Sequence, residues 1–556
     1  MSDRAARTRA LARRGLSFLP SLGDLAAARR APGRDLLAGL TVAVVALPLA
    51  LAFGEASGLG AGAGITTAVI AGAIAAIFGG SNLQVSGPTG AMTVVLVPVV
   101  AQFGSQGVLQ VGLLAGVILV ILAVSGVGRI VRFLPATVVE GFTAGIAVVI
   151  ALQQAPNALG IEPSSAHEVW RVAGDAVLTW AAAPDPVPPL TALAVAAVII
   201  AGSRWRPGVP WSLLAIAAAT AAAVWAPGLE RIGALPPALP APDASFVDPG
   251  TWLALAPSAF AVAALAALES LLCATVADGM RVGERHDPDR ELFGQGLANL
   301  AVPFFGGVPA TAAIARTAVN VRAGARSRLA ALTHSLVLLA IVLALGPVVG
   351  LIPLAALAGV LLATTVSMIE LRSLVAMARA TRADAAVLIL TFGLTVVFDL
   401  ILAVVAGLAI AGLLALRDVS RAATLERVPL DDHDHADEEN ELLHEGIVAY
   451  RFDGPVFFGA APRFLVELTE VADVRALVLR MSRVSSLDAT GALMLDDAIR
   501  NLERRGIAVF LSGVQDRHRS VLRPIGSLAE LSARDRVFAR TPDAIAAARE
   551  HVRAPG

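Results

Sequence analysis

The sequence contains no lysine, a single cysteine and a single tyrosine, and these shortages exclude several kinds of chemistry. All 43 basic residues are arginine. Without lysine there is neither a Walker A loop, whose lysine reaches the phosphates of a nucleotide, nor a lysine Schiff base. ATP-driven pumping by a nucleotide domain of its own is therefore excluded. The lone Cys273 excludes an intrachain disulfide, as well as zinc or iron–sulfur sites that need several cysteines.

Charged residues are also scarce, at 16% of 556 residues, whereas a soluble domain has about a quarter. Hydrophobic residues make up 56% of the sequence, and the mean hydropathy is +0.74. This composition indicates an integral membrane protein. The net charge of -1 gives no basic balance that would favour nucleic acid as a partner.

Composition divides the chain into four zones. Residues 1–35 carry eight arginines with no apolar core between them, which is typical of a cytoplasmic arm and not of a signal peptide. Residues 36–416 are strongly apolar and form a predicted transmembrane domain. Residues 417–446 form a predicted acidic linker. Residues 447–556 form a mixed-charge tail.

The tail has the pattern of a small α/β domain. Strand-like runs occur at Ile447–Phe452, Ala476–Met481 and Ile507–Leu511, and helical patterns lie between and after them. One of these is Thr490–Arg504, in which Leu495, Ala498 and Leu502 share a face. Strands that alternate with helices predict a mixed sheet covered by helices.

The apolar zone has room for about 14 membrane-spanning segments of roughly 20 residues each. The predicted segments begin near Leu37, Ala61, Pro88, Val108, Ala136, Leu190, Trp211, Ala256, Leu292, Pro309, Ala330, Ile352, Ala385 and Ile401. Thirteen arginines fall in the loops after segments 4, 6, 8, 10 and 12, against two in the opposite loops. This asymmetry predicts that both termini are cytoplasmic.

Seven segments in each half would leave the second half inverted relative to the first. The third and tenth segments occupy matching positions, and both are interrupted by glycine and proline, at Val85–Ala91 and Gly306–Ala312. Paired interruptions of this kind indicate the binding site of a transporter. If Pro88 and Pro309 each begin a half-helix, the free N–H groups and positive helix ends suit an anion. The alternative is that proline and glycine merely kink two membrane helices.

Arg316 lies two helical turns after Pro309, and an arginine at membrane depth is a candidate functional residue. It would add positive potential to the anion site, unless it snorkels to the cytoplasmic surface. The candidate substrate-binding residues are Ser86, Gly87, Pro88, Thr89, Gly90, Pro309, Ala310, Thr311, Ala312, Ala313 and Arg316.

Glu269 and Cys273 are the candidate coupling residues, one helical turn apart in the eighth segment. A carboxylate at this depth pairs with Arg316, binds a coupling cation or carries a proton. Cys273 supplies no hard oxygen ligand, which disfavours sodium. No metal site is predicted, because His433 and His435 in the acidic linker are better explained as part of a solvated charged run.

Five motifs stand out in the sequence: Ala46-Leu-Pro-Leu-Ala50, Val85-Ser-Gly-Pro-Thr89, Gly141-Phe-Thr-Ala-Gly145, Pro309-Ala-Thr-Ala-Ala-Ile-Ala-Arg-Thr317 and, in the tail, Leu487-Asp-Ala-Thr-Gly491. They resemble motifs of the sulfate permease (SulP) family, solute carrier family 26. The tail resembles the STAS domain of that family. Within it Thr490 stands where related regulatory proteins carry a phosphorylatable serine, so it is a candidate regulatory residue.

The resemblance implies a polytopic α-helical, uracil-permease-like fold with a seven-plus-seven inverted repeat. It also implies substrate held between segments 3 and 10, and a homodimer without a cofactor. Glu269–Cys273, Gly294–Gly296 and Ala312–Arg316 are most similar to the members that take up four-carbon dicarboxylates. Sodium-coupled bicarbonate members have Asp and Thr at the positions of Glu269 and Cys273, so the departure here favours protons over sodium.

The resulting hypothesis is a proton-coupled secondary transporter of small anions in a bacterial inner membrane, and not an enzyme. Four-carbon dicarboxylates such as fumarate and succinate come first, followed by sulfate and bicarbonate. An uncoupled anion channel is one alternative. Another is a regulatory scaffold, in which the tail recruits a cytoplasmic protein and transport is vestigial.

Overall fold

The structure is a computed structural model. It describes residues 18–126, 128, 135–164, 166, 168–206, 209–225, 228–236, 238–281, 285–397, 403, 406–407, 409–414, 416–417, 424–427, 445–456 and 474–554. The chain divides into two compact units, Met1–Leu408 and Ala409–Gly556. Each unit is described by itself.

The described residues of the first unit form helices and two short strands. Its helices are α1 (Leu22–Arg30), α2 (Pro32–Ala56), α3 (Ala61–Phe78), α4 (Gly90–Ser125), α5 (Ala136–Gln153), α6 (Ala155–Leu159), α7 (Val169–Ala182), α8 (Val187–Trp205), α9 (Trp211–Ala222), α10 (Trp252–Met280), α11 (Pro288–Ala301), α12 (Ile314–Arg322), α13 (Leu329–Val349), α14 (Leu354–Met368), α15 (Leu371–Ala380) and α16 (Arg382–Val397). The strands are β1 (Ser86–Gly87) and β2 (Thr311–Ala312).

Eight segments of the described chain are long and apolar enough to cross a membrane. They are Pro32–Ala56, Ala61–Phe78, Gly90–Ser125, Ala136–Gln153, Val187–Trp205, Pro249–Met280, Leu329–Val349 and Leu354–Ala380. A helix lies at each of the first thirteen predicted segments, but several of these helices are short. The fourteenth, near Ile401, lies mostly outside the described residues, so the number fourteen stays a prediction.

The helices differ from the sequence prediction in two respects. The third and fourth predicted segments run together as α4, which is broken at Gly104, where φ is 67° and ψ is -169°. Glycine adopts this left-handed conformation without the penalty that a side chain would bring. The helices α7 and α15 correspond to no predicted segment, because both are short and only partly apolar.

Small residues let the helices of the first unit pack closely. A Cβ on Gly64 of α3 would collide with the carbonyl oxygen of Ala50 in α2, and one on Gly54 would lie 2.6 Å from the backbone nitrogen of Gly64. Close backbone approach through small residues is how helices associate in a membrane, where apolar contact with lipid is equally favourable. The alanine-rich composition of the apolar zone therefore builds its core.

The predicted N-terminal arm contains the helix α1. Ser21 and Asp24 form a reciprocal capping box at its start. The Asp24 carboxylate also accepts a hydrogen bond from Nη2 of Arg290 at 2.8 Å and lies 3.3 Å from Nε of Arg328. Burial raises the pKa of Asp24, but the hydrogen bonds from Arg290 and the Ser21 N–H, together with the charge of Arg328, lower it below its ordinary value. The arm is thus attached to α11 and to the start of α13.

The second unit contains a five-stranded sheet. Its strands are β3 (Thr424–Arg427), β4 (Ile447–Val456), β5 (Ala476–Leu487), β6 (Ala508–Ser512) and β7 (Val537–Phe538), and its helices are α17 (Ala489–Arg504), α18 (Asp516–Leu522), α19 (Ser527–Ala533) and α20 (Thr541–Arg553). The strand order is β3-β4-β5-β6-β7. The pair β3–β4 is antiparallel, and the other three pairs are parallel. The helix α17 connects β5 to β6, and α18 and α19 connect β6 to β7, as predicted for an α/β domain.

Two details of the tail were predicted differently. The strand β3 falls inside the predicted linker 417–446, because pairing with β4 is not visible in the charge pattern that defined the linker. Most of that linker, including His433 and His435, lies outside the described residues. The predicted face of α17 is confirmed, since Leu495, Ala498 and Leu502 are all buried.

Candidate functional site

The two interruptions that contain proline and glycine, Val85–Ala91 (the first break) and Gly306–Ala312 (the second break), meet in the structure. Their strands β1 and β2 pair antiparallel, with Ser86 opposite Ala312 and Gly87 opposite Thr311. The helices that follow begin at Gly90 and Ile314 without a side-chain cap. Their first N–H groups therefore lack intrahelical partners, as at any helix start.

The helices begin later than the sequence predicted. Pro88 lies two residues before the first residue of α4, and Pro309 lies five residues before that of α12. In the second break the intervening residues include β2, and its pairing with β1, which lies just before Pro88, was not revealed by the sequence pattern. Thr89 and Ala313 are the extended N-cap residues. The N–H of Ala313 donates to the carbonyl of Val85 at 3.2 Å, which extends the contact between the breaks.

Arg316 is buried inside the first unit, with 2% of its surface exposed. It does not snorkel to the surface. Its Nη2 donates to the carbonyl oxygen of Pro88 at 2.9 Å, whereas its Nη1 has no hydrogen-bond partner within the described part of the chain. A Cβ at position 87 would collide with Nη1, so a larger residue there would push the guanidinium away from the ribbon.

Glu269 of α10 contacts the first break at Thr89. Its Oε2 accepts a hydrogen bond from the hydroxyl of Thr89 at 3.0 Å. Among the described residues no ion pair within 4.0 Å joins Glu269 to Arg316, although the two charges interact over a longer distance. A direct static pair with Arg316 is thus not what holds this carboxylate.

Cys273 lies one turn after Glu269 and is fully buried. Its thiol donates to the Thr317 hydroxyl at 3.2 Å, and that hydroxyl oxygen also accepts the N–H of Val85 at 3.1 Å. Cys273 therefore contacts the same residue of α12, Thr317, that binds Val85, the residue before β1.

Several residues that hold the breaks were missed by the sequence reasoning. Ser270 has its hydroxyl 2.9 Å from that of Thr311 and accepts the N–H of Ala312 at 3.3 Å. The hydroxyl of Thr67 accepts the N–H of Val308, just before Pro309, at 2.7 Å. Hydroxyl residues are common in membrane helices, so their spacing alone carried no usable signal.

Two polar residues of α11 were also missed. Gln295 contacts Ser86, and Asn299 contacts Ala310. The available signal was the recurrence of polar residues at every fourth position, Glu291, Gln295 and Asn299, within an apolar zone. Gly90 is packed tightly too, because a Cβ there would collide with the side chain of Ile150.

Thr490 belongs to the second unit. It is exposed and is the second residue of α17, directly after Asp488 and Ala489. The Asp488 carboxylate caps the helix by accepting the N–H of Gly491 at 2.7 Å.

Comparison with known proteins places these features in a family. The sulfate permease family profile matches residues 33–391, and the STAS domain profile matches residues 442–544. The chain belongs to the sulfate permease family. It is accordingly an anion transporter with a C-terminal STAS domain, and not an enzyme.

Individual family members resemble the chain over most of its length. It is 35% identical over 505 residues to the putative sulfate transporter YvdB of Bacillus subtilis, covering 89% of this chain and 93% of that protein. It is 31% identical over 418 residues to the bicarbonate transporter BicA of Synechocystis, covering 72% of each.

Solved structures support the same fold. The overall structure of SLC26A9 matches 99% of this chain and 94% of its own with a TM-score of 0.82, at 18% identity. The transmembrane domain of the cyanobacterial bicarbonate transporter BicA matches 67% of this chain and 98% of its own, with a TM-score of 0.62 at 32% identity. The predicted sulfate permease fold with its STAS domain is confirmed.

Proposed function

We propose that this family member is a proton-coupled secondary transporter that binds a small oxyanion between β1, β2 and the starts of α4 and α12. One observation carries the proposal: among the residues that the structure describes, Nη1 of the buried Arg316 has no hydrogen-bond partner, and it lies beside two helix starts without a side-chain cap. A guanidinium nitrogen and helix N–H groups are both donors to oxyanions.

Glu269 is the proposed coupling residue. It is half-buried and accepts a hydrogen bond from Thr89, the residue that precedes α4. A carboxylate in an apolar region favours the neutral form, so it can take up a proton together with the anion and release it on the other side. Cys273 supports this assignment, because its thiol is occupied by Thr317 and offers no oxygen ligand to sodium.

Four-carbon dicarboxylates, such as fumarate and succinate, are the first proposed substrates. Glu269–Cys273, Gly294–Gly296 and Ala312–Arg316 resemble the dicarboxylate uptake members of the family. Sulfate and bicarbonate come next, because similar proteins carry those names. Backbone N–H groups and one guanidinium accept any small oxyanion, so the site alone does not choose among them.

The remaining assignments complete the proposal. The transporter is a homodimer in a bacterial inner membrane with both termini in the cytoplasm, in accordance with the arginine distribution. Thr490 is the regulatory residue of the STAS domain, which contacts a cytoplasmic protein partner.

The test is uptake into proteoliposomes with and without an inward proton gradient, using labelled fumarate, succinate, sulfate and bicarbonate separately. A proton-coupled transporter accumulates its substrate above the outside concentration only when the gradient is imposed. An uncoupled channel never exceeds the electrochemical equilibrium of the anion. Thermal stabilisation by the same four anions identifies the one that binds, because a ligand of the folded state raises the melting temperature in a concentration-dependent way.

A further inference from the structure

A stripe of buried polar side chains follows one face of α11. Glu291, Gln295 and Asn299 are spaced four residues apart and are 2%, 0% and 0% exposed. Buried polar groups destabilise a protein unless they are hydrogen-bonded. The partners of these three residues therefore indicate what the stripe does.

The two C-terminal members of the stripe each hold one break. Nε2 of Gln295 donates to the hydroxyl oxygen of Ser86 in β1 at 2.6 Å. Asn299 binds the backbone of Ala310 twice, because its Oδ1 accepts the N–H at 2.8 Å and its Nδ2 donates to the carbonyl at 2.9 Å. The helix α11 thus contacts both breaks, through two residues that lie one turn apart.

Glu291 anchors the stripe. Its Oε1 accepts the second hydrogen of the Gln295 amide at 3.0 Å, so both donors of that amide are used. Its Oε2 accepts the N–H groups of Gly80 and Ser81 at 2.8 and 3.1 Å. Since Gly80 and Ser81 follow α3, Glu291 links Gln295 to the segment after α3.

The glycines beside Gln295 make this packing possible. A Cβ on Gly294 would collide with the backbone of Gly79, and one on Gly296 would lie 3.0 Å from the backbone nitrogen of Val120. The helix α11 therefore lies against the end of α3 on one side and α4 on the other. Side chains at either position would move Gln295 away from Ser86.

Ser86 and Gly87 point to opposite sides of β1, as neighbours in a strand do. Position 87 faces the guanidinium of Arg316, and the Ser86 hydroxyl faces Gln295. The contact with Gln295 is thus on the side of the ribbon away from Arg316. It fixes the strand without occupying the anion site.

We propose that Gln295 is a positioning residue for the anion site, which fixes β1 through Ser86 while Asn299 fixes β2 through Ala310. This inference rests on the proposed function. The stripe sets the separation at which Arg316 and the starts of α4 and α12 converge on one oxyanion. Without the Gln295–Ser86 bond, β1 shifts while β2 stays attached to Asn299, and anion affinity falls.

The test combines Gln295→Met, Ser86→Ala and the double variant in the full-length protein. Methionine fills the same length of side chain but donates no hydrogen bond. We expect each single variant to raise the KM for the transported anion about tenfold with kcat little changed. We expect the double variant to resemble the single variants, because both remove the same bond. Effects that multiply would show that Gln295 does not act through Ser86.

Amide hydrogen exchange gives a readout that does not depend on transport. Exchange at Val85–Thr89 should be about tenfold faster in Gln295→Met and in Ser86→Ala than in the wild type. Gln110→Met is the matched control, because Gln110 is a buried glutamine whose partners, Asp248 and Thr251, belong to neither break. It should leave both KM and exchange at Val85–Thr89 unchanged.

The outcomes separate this inference from the proposed function. Unchanged exchange at Val85–Thr89 in both variants overturns the positioning role, whatever happens to transport. Faster exchange in a protein whose wild type binds none of the four anions supports the positioning role and refutes the proposed substrate class. If Gln295→Met does not fold, Ser86→Ala alone carries the test, since it removes the same bond with a smaller change.

Discussion

The guanidinium of Arg316 is bonded to the carbonyl oxygen of Pro88, 228 residues earlier in the chain, at a distance of 2.9 Å. Arg316, which follows the second break in α12, is therefore held in place by the backbone of the first break. This bond adds to the strand pairing of β1 with β2, so the two breaks are joined both by backbone pairing and by a side chain. A change in either break should accordingly be felt at the other.

Replacement of Arg316 by alanine should weaken anion binding by about 2–3 kcal/mol, because one desolvated charge contact is lost. Arg322→Ala is the control, since Arg322 is an exposed arginine at the end of the same helix. The dissociation constant of the transported anion can be measured by thermal shift titration. Equal affinity in Arg316→Ala and the wild type would remove Arg316 from the site.

Replacement of Gly87 by alanine should displace the Arg316 guanidinium, because the added methyl group collides with Nη1. Forcing a methyl group into a packed site destabilises proteins by about 1–3 kcal/mol, and affinity for the anion should fall as well. The control is Gly393→Ala in α16, where an added Cβ meets nothing within 4 Å. Melting curves and anion titrations of both variants test this prediction. Equal melting temperatures and equal anion affinities in Gly87→Ala and Gly393→Ala would contradict the close contact at Gly87.

Replacement of Thr490 by aspartate should change the transport rate but not the order of substrate preference. Thr490 is exposed near the start of α17, where a negative charge is favourable to the helix, so the STAS domain should stay folded. Uptake rates for the four anions, compared with Thr490→Ala, test this expectation. A changed ranking of the anions would refute it.

Replacement of Asp24 by asparagine should lower the melting temperature at neutral pH, because the charged contacts with Arg290 and Arg328 are lost. The pKa of Asp24 is held below its ordinary value of 3.8. A lowered carboxyl pKa in the folded state stabilises the protein above the unfolded-state pKa, and this contribution disappears as the pH falls through the folded-state pKa. The difference from the wild type should therefore be constant from about pH 5 to 8 and shrink below about pH 4. A difference that grows on acidification would contradict this assignment.

The sequence was sufficient to predict what depends on composition and local pattern. The apolar zone, the sulfate permease family and the α/β tail followed from hydropathy, motifs and alternating strands. The breaks at Val85–Ala91 and Gly306–Ala312 followed from proline and glycine at matching positions. Each of these signals lies within a short stretch of chain.

The rest could not be predicted because it depends on contacts between distant residues. The pairing of Ser86 with Ala312 joins positions that share no local pattern. Gln295 resembled part of a family motif, but its bond to Ser86 exists only once α11 packs against α3 and α4. The strand β3 was assigned to a linker for the same reason, since its partner in β4 follows it by some twenty residues.

Replacement of Glu269 by glutamine distinguishes a proton carrier from a structural carboxylate. Glutamine copies the neutral form of the side chain, and its carbonyl oxygen can still accept the hydroxyl of Thr89. No ion pair within 4.0 Å joins Glu269 to Arg316 in the described structure, so the variant should keep a melting temperature close to that of the wild type. It should also bind the anion and exchange it across the membrane.

What Glu269→Gln should lose is accumulation driven by an acidic outside, because glutamine cannot take up and release a proton. Glu55→Gln is the matched control, since Glu55 is another half-buried carboxylate that accepts a backbone N–H, from Ala61, at 3.1 Å. That control should accumulate the anion like the wild type. If Glu269→Gln also keeps pH-driven accumulation, the proton travels elsewhere. A fall in stability of several kcal/mol would instead mean that the carboxylate compensates the buried charge of Arg316 through the longer-range interaction.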